Sequence, residues 1–154
     1  MHALAASEIE GRNVRGQVQV AAPTVAPHFR ERDALAARRA LGLREEAFVV
    51  LVTGGAWGVG TLDGAVKALR AMEDRCQLVV VCGRNGRMRA DLEALGAPHD
   101  RLVPLGFVDN MAEWMAASDL VVNNAGGVTS LEAFASARPL ALFDPIAGHG
   151  RANA

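Results

Sequence analysis

The stretch Thr53-Gly54-Gly55-Ala56-Trp57-Gly58-Val59-Gly60 sets recurring glycines between an apolar run and a helical pattern. Such a turn lets backbone N–H groups close on a phosphate at a helix N-terminus; equally, the glycines could serve a tight strand-to-helix turn and nothing more. A second glycine turn, Ala125-Gly126-Gly127, opens another helical pattern. There the unpaired N–H groups of Gly127, Val128, Thr129 and Ser130 meet the helix dipole, worth about half a positive charge, a combination that binds phosphate or a departing diphosphate. Thr129-x-x-Glu132 has capping-box spacing, so its carboxylate either closes the helix end or faces a ligand. Arg84 and Asn85, after Cys82-Gly83, either reach an anion or cap the helix that follows. In Asp144-Pro145-Ile146-Ala147-Gly148-His149-Gly150, His149 either touches a ligand or is an exposed loop histidine. Asn110-x-x-Glu113 reads as an N-cap, and Met111, Trp114 and Met115 as core and interface packing. No paired acidic motif calls for a metal.

These residues need a scaffold, and the alternation of patterns from Phe48 onward supplies one. Short apolar runs predict strands near 48–53, 77–82, 102–105, 119–122 and 139–143, and helical patterns lie near 60–73, 87–95, 110–117 and 128–137. That alternation predicts an α/β fold with a doubly wound parallel sheet. Phe48-Val49-Val50-Leu51-Val52 and Leu78-Val79-Val80-Val81 are apolar without a break, as strands covered on both faces must be. Gly54, Gly83, Gly106, Asn123 to Gly127 and Asp144 all fall at strand carboxyl ends, where ligands of such sheets gather. Before Phe48 come a short strand near 17–21, Pro23, Pro27 and a helix over 31–41, which read as a connection entering from elsewhere.

With 51% hydrophobic and 21% charged residues, 154 residues suffice for about one globular domain. A net charge of −1 gives no footprint for nucleic acid or an anionic membrane. Cys76 and Cys82 flank one strand without metal-ligand spacing and read as reduced, buried thiols of a cytoplasmic protein. Glu8 and Glu10 near the start argue against a signal peptide, and no apolar run reaches the length of a membrane span.

Thr53-Gly54, Gly58, Gly60, Cys82-Gly83-Arg84-Asn85 and Asp119 to Gly126 imitate the motifs of short-chain dehydrogenases in order and rough spacing. A fragment of such an NAD(P)-binding oxidoreductase is one reading, although the family's downstream tyrosine has no counterpart, the chain containing none. A non-catalytic interaction domain is another. After Gly126, however, a short helix stops at Pro139 and gives way at once to the run Leu140-Ala141-Leu142-Phe143, where dehydrogenases place a long connection and a long helix.

From about Val18 onward the chain resembles glycosyltransferase family 28, including its galactolipid synthase-like members and the lipid-linked N-acetylglucosaminyl transferase of peptidoglycan synthesis. The resemblance is carried by Pro27 to Phe29, Gly54-Gly55, Cys82 to Asn85, Gly106 to Met111, Trp114-Met115, Ser118-Asp119, Ala125 to Gly127, Thr129 to Ala133, Pro139, Pro145 and Asn153-Ala154. It implies the Rossmann-like, C-terminal half of a GT-B enzyme, with residues 1–22 as the tail of the acceptor half and 23–154 as a nucleotide-sugar-binding domain truncated at its C-terminus. It implies inverting, metal-independent transfer from a UDP-sugar, without a cofactor, to a lipid or other hydrophobic acceptor, and no turnover by this half alone. The implied nucleotide site comprises Gly126, Gly127, Thr129, Ser130, Glu132 on the ribose hydroxyls, backbone near Phe107 on the base, and Arg84. Gly54 and Gly55 would face the diphosphate or acceptor, and Asp144 and His149 the donor sugar. At His149-Gly150 relatives carry Gln and an acidic or amide residue, so the sugar is left open. The catalytic base would lie on the other half, and the full-length enzyme would be cytoplasmic and able to attach peripherally to the inner membrane face.

Overall fold

The computed structural model describes residues 24–54, 64, 66, 67, 69, 76–95, 97, 98, 101–124 and 127–143. Strands β1 (Phe48–Thr53), β2 (Cys76–Val81), β3 (Leu102–Leu105), β4 (Leu120–Asn123) and β5 (Leu140–Leu142) form one sheet. Its order is β3-β2-β1-β4-β5, with every neighbouring pair parallel. The chain steps outward from β1 to β3, then crosses back to the other side of β1 for β4 and β5. This is the Rossmann-like winding expected, and its reversal opens a crevice between β1 and β4, at the carboxyl ends Thr53 and Asn123, which are register partners.

Helices α1 (Ala34–Leu41), α2 (Gly86–Glu93), α3 (Met111–Ala117) and α4 (Gly127–Ala135) cover both faces, and Gly64, Val66, Lys67 and Leu69 are helical too. Side chains alternate across each strand, so one sheet divides its residues between two cores. Val50, Val52, Leu78 and Val80 pack with Val66, Met88 and Leu92 on one face; Val49, Leu51, Val79 and Val81 pack with Trp114, Met115 and Ala133 on the other. Each such side chain contributes about 1.5–3 kcal/mol on burial. Cys76 and Cys82 are both buried, as expected. Phe48 departs from its apolar run: it heads β1 and stands 51% exposed.

The five strands expected from Phe48 onward are present, with ends shifted by one residue or so. The expected helix over 31–41 begins later, because Asp33 is its N-cap and its carboxylate accepts the N–H groups of Leu35 and Ala36 at 2.9 and 3.3 Å. At the sheet edge, Leu78 and Cys82 donate to the carbonyls of Arg101 and Leu105 at 2.8 and 2.9 Å. Pro104, of opposite parity, therefore turns its peptide outward, where its missing N–H costs nothing and discourages a further strand. The expected strand near 17–21 and the division at residue 22 lie outside the described residues.

Candidate functional site

Two strand ends and two loops converge over the crevice. A cavity of about 360 Å³ has Thr53, Val81 and Gly83 at its base, Phe107, Val108 and Met111 along one side, and Val128, Thr129 and Glu132 of α4 along the other. Thr53 is fully buried at the end of β1, and Gly54 follows it directly. A second cavity, of about 370 Å³, runs along the open edge of β3 beside Arg89 and Glu93. None of the candidate residues lines it, and it lies away from the strand reversal, so it is not the candidate site.

Helix α4 begins at Gly127. Thr129 is thus its third residue and not its N-cap, which removes the capping-box reading of Thr129-x-x-Glu132 and leaves Glu132 at the cavity. Burial strips water from the Glu132 carboxylate and raises its pKa, opposed by the charge of His28 on the segment that enters from the N-terminal side. Ser130 faces inward: the Asn123 amide Nδ2 donates to its Oγ at 3.4 Å, tying the end of β4 to the first turn of α4. The helix N-terminus is thereby held at the mouth of the crevice, where its N–H groups suit an anion.

On the opposite side, Phe107 is 60% exposed, which excludes core packing as its role. The guanidinium carbon of Arg84 lies 5.7 Å from the Phe107 ring centroid, and Arg84 is not among the residues lining the cavity. Asn85 caps α2, its Oδ1 accepting the Met88 N–H at 3.0 Å. Asn110 sits at the N-cap position of α3 but its side chain does not cap. It accepts from Trp114 Nε1 at 2.9 Å and donates to Glu113 at 2.8 Å, because the indole competes for the oxygen that a cap would need. Trp114 and Met115 are buried as expected, while Met111 both packs against the core and lines the cavity. Thr53 entered the sequence reading only as the first residue of the glycine turn, Val108 only within the Gly106 to Met111 stretch that carries the resemblance, and Met111 there and as packing; the structure adds all three to the cavity lining. Gly55, Gly126, Asp144 and His149 lie outside the described residues. Among the described residues no cluster of His, Cys, Asp and Glu could hold a metal ion.

A family model described as the glycosyltransferase family 28 C-terminal domain matches residues 49–153. The processive diacylglycerol beta-glucosyltransferases of Staphylococcus aureus strains Newman and COL are each 31% identical to the chain over 106 residues, which is 68% of this chain and 27% of theirs. The chain thus spans about a quarter of the length of these curated relatives. Among solved structures, WaaG, a glycosyltransferase involved in lipopolysaccharide biosynthesis, superposes with a TM-score of 0.62 at 23% identity, over 79% of this chain and 36% of that one. That likeness supports the fold.

Proposed function

The chain belongs to glycosyltransferase family 28, as a C-terminal domain, and from that membership we propose that it is the nucleotide-sugar-binding half of a glycosyltransferase that takes a UDP-sugar as donor. The observation that carries this reading is the cavity at the strand reversal, which joins the N-terminal turn of α4 to the desolvated carboxylate of Glu132. In this reading the N–H groups of Gly127 to Ser130 hold the diphosphate, Glu132 accepts hydrogen bonds from the ribose hydroxyls, and backbone near Phe107 meets the base. Gly54 and Gly55 face the diphosphate or acceptor, while Asp144 and His149 serve the sugar.

The reaction would be inverting: an acceptor hydroxyl attacks the anomeric carbon in line, a base on the other half takes its proton, and the diphosphate leaves towards the α4 N-terminus. The helix end stabilises that charge, so no metal is needed in this scheme. The acceptor is a lipid or other hydrophobic alcohol, a reading supported by the diacylglycerol named for the relatives. Among the described residues no helix is long and apolar enough to cross a membrane. The full-length enzyme would work at the cytoplasmic membrane face as a peripheral protein.

Calorimetric titration of the chain with UDP, and in parallel with NAD(P), tests the donor-site reading, with Glu132→Ala as control. UDP binding weakened by that substitution is the expected result. NAD(P) binding without UDP binding would overturn it in favour of a dinucleotide site, and turnover by this chain alone would overturn the half-enzyme reading.

A further inference from the structure

Arg84 and Phe107 are each preceded by a glycine, and those glycines bring them together. Gly83 adopts φ 58°, a conformation that favours glycine. A Cβ placed on Gly106 would lie 3.9 Å from the Gly83 carbonyl oxygen, so the loops after β2 and β3 pass close enough there that an added side-chain atom would just touch. The side chains that follow then meet, with the guanidinium over the ring at 5.7 Å. The ring lines the cavity while Arg84 does not, and the ring is 60% exposed. An aromatic ring so exposed has little packing to fix its rotamer. A planar cation attracted to one of its faces restrains it.

We propose that Arg84 is a positioning residue: it holds the Phe107 ring as a stacking wall for the base of the nucleotide, without itself touching the nucleotide. This rests on the donor-site reading above and deepens it, giving the base a second source of affinity besides the backbone near Phe107. Stacking tolerates any base, so the wall adds affinity, and discrimination among bases falls to the neighbouring backbone groups.

The test is a double-mutant cycle by calorimetry with UDP, using Arg84→Met, Phe107→Ala and the double variant, with inorganic pyrophosphate titrated in parallel. Both side chains are exposed, and thermal unfolding of each variant checks that the fold is retained. Phe107→Ala is expected to lower UDP affinity about tenfold or more, and Arg84→Met by about two- to fivefold. The double variant should bind no more weakly than Phe107→Ala, and pyrophosphate affinity should not change in any of them. A merely structural role would not reproduce this pattern, since it would weaken both ligands together. Equal losses from Arg84→Met with and without Phe107, or a loss of pyrophosphate affinity, would mean that Arg84 contacts the diphosphate directly and would overturn the proposal. UDP affinity unchanged by Phe107→Ala or by Arg84→Met overturns the stacking wall while leaving the donor site standing. Absence of UDP binding by the unsubstituted chain overturns both.

Discussion

At the cavity wall Glu132 combines two properties that pull against each other. Desolvation raises its pKa, and the nearby His28 charge only partly offsets this. A carboxyl group with a higher pKa in the folded than in the unfolded chain binds more protons in the native state. Native stability then falls as pH rises from the ordinary carboxylate value through the raised one, and the loss is complete above it. Glu132→Gln is therefore expected to raise the melting temperature at neutral pH and to flatten the stability profile in that window, which thermal unfolding across a pH series would show. Hydrogen bonds to a charged acceptor contribute about 1.5–3 kcal/mol, so the same variant should bind UDP roughly ten- to a hundredfold more weakly. UDP lacking both ribose hydroxyls should not distinguish the variant from the parent. A substitution that stabilises the fold while costing binding marks a residue kept for function. The sequence left Glu132 between cap and ligand because the choice turns on where α4 begins, and Gly127 rather than Thr129 begins it. Likewise, nothing local to Phe107 distinguishes an exposed phenylalanine from a buried one; its exposure follows from the path of the loops after β2 and β3.

The helices α1 and α4 on one face of the sheet end in the same way, with different residues at the critical position. After α1, Leu43 N–H bonds the Arg38 carbonyl at 2.9 Å and Gly42 N–H that of Arg39 at 3.3 Å; after α4, Arg138 bonds Ala133 at 2.9 Å and Ala137 bonds Phe134 at 3.0 Å. Both are Schellman stops, with Gly42 at φ 67° and Ala137 at φ 54°. The left-handed conformation costs a residue with a Cβ about 1–2 kcal/mol. Ala137→Gly should thus stabilise the protein, by about 1 kcal/mol, and Gly42→Ala should destabilise it by a similar amount, in denaturant titrations. The glycine stop was legible in the sequence; the alanine stop was not, and the expected helix over 128–137 ran on past Ala135 for that reason. Nor was the use of Arg38, which is 5% exposed on α1. Its guanidinium donates to the carbonyls of Ala117, Glu45 and Ala47 at 2.9, 2.7 and 3.1 Å and to Asp119 at 2.6 Å, while Asp119 also accepts the Val49 N–H at 2.7 Å. One side chain thereby ties α1 to the end of α3 and the starts of β1 and β4, across 81 residues of sequence that no local pattern links. Arg38→Ala leaves the Asp119 carboxylate with the Val49 N–H but without its counter-charge, removes the donor to three carbonyls, and is expected to cost about 3–5 kcal/mol in the same titrations.

For the whole molecule, the alternation of apolar runs with helical patterns was enough to read the parallel sheet, because strands covered on both faces must be apolar throughout and few other folds permit it. The strand order was implied only by family likeness, since β4 returns beside β1 through pairings remote in sequence. The charge distribution leads to a further expectation. The chain carries a net charge of −1, and among the described residues no lysine or arginine lines the cavity. A diphosphate there would be held by backbone N–H groups and the α4 dipole inside a partly enclosed space, where mobile ions screen less than they do at a surface. UDP affinity should accordingly change by less than about threefold between roughly 50 and 300 mM sodium chloride. A site built from mobile cationic side chains would behave otherwise, losing affinity steeply as salt competes for each phosphate contact. Titrations at several salt concentrations separate the two, and a steep loss would move the diphosphate from the α4 N-terminus to cationic side chains.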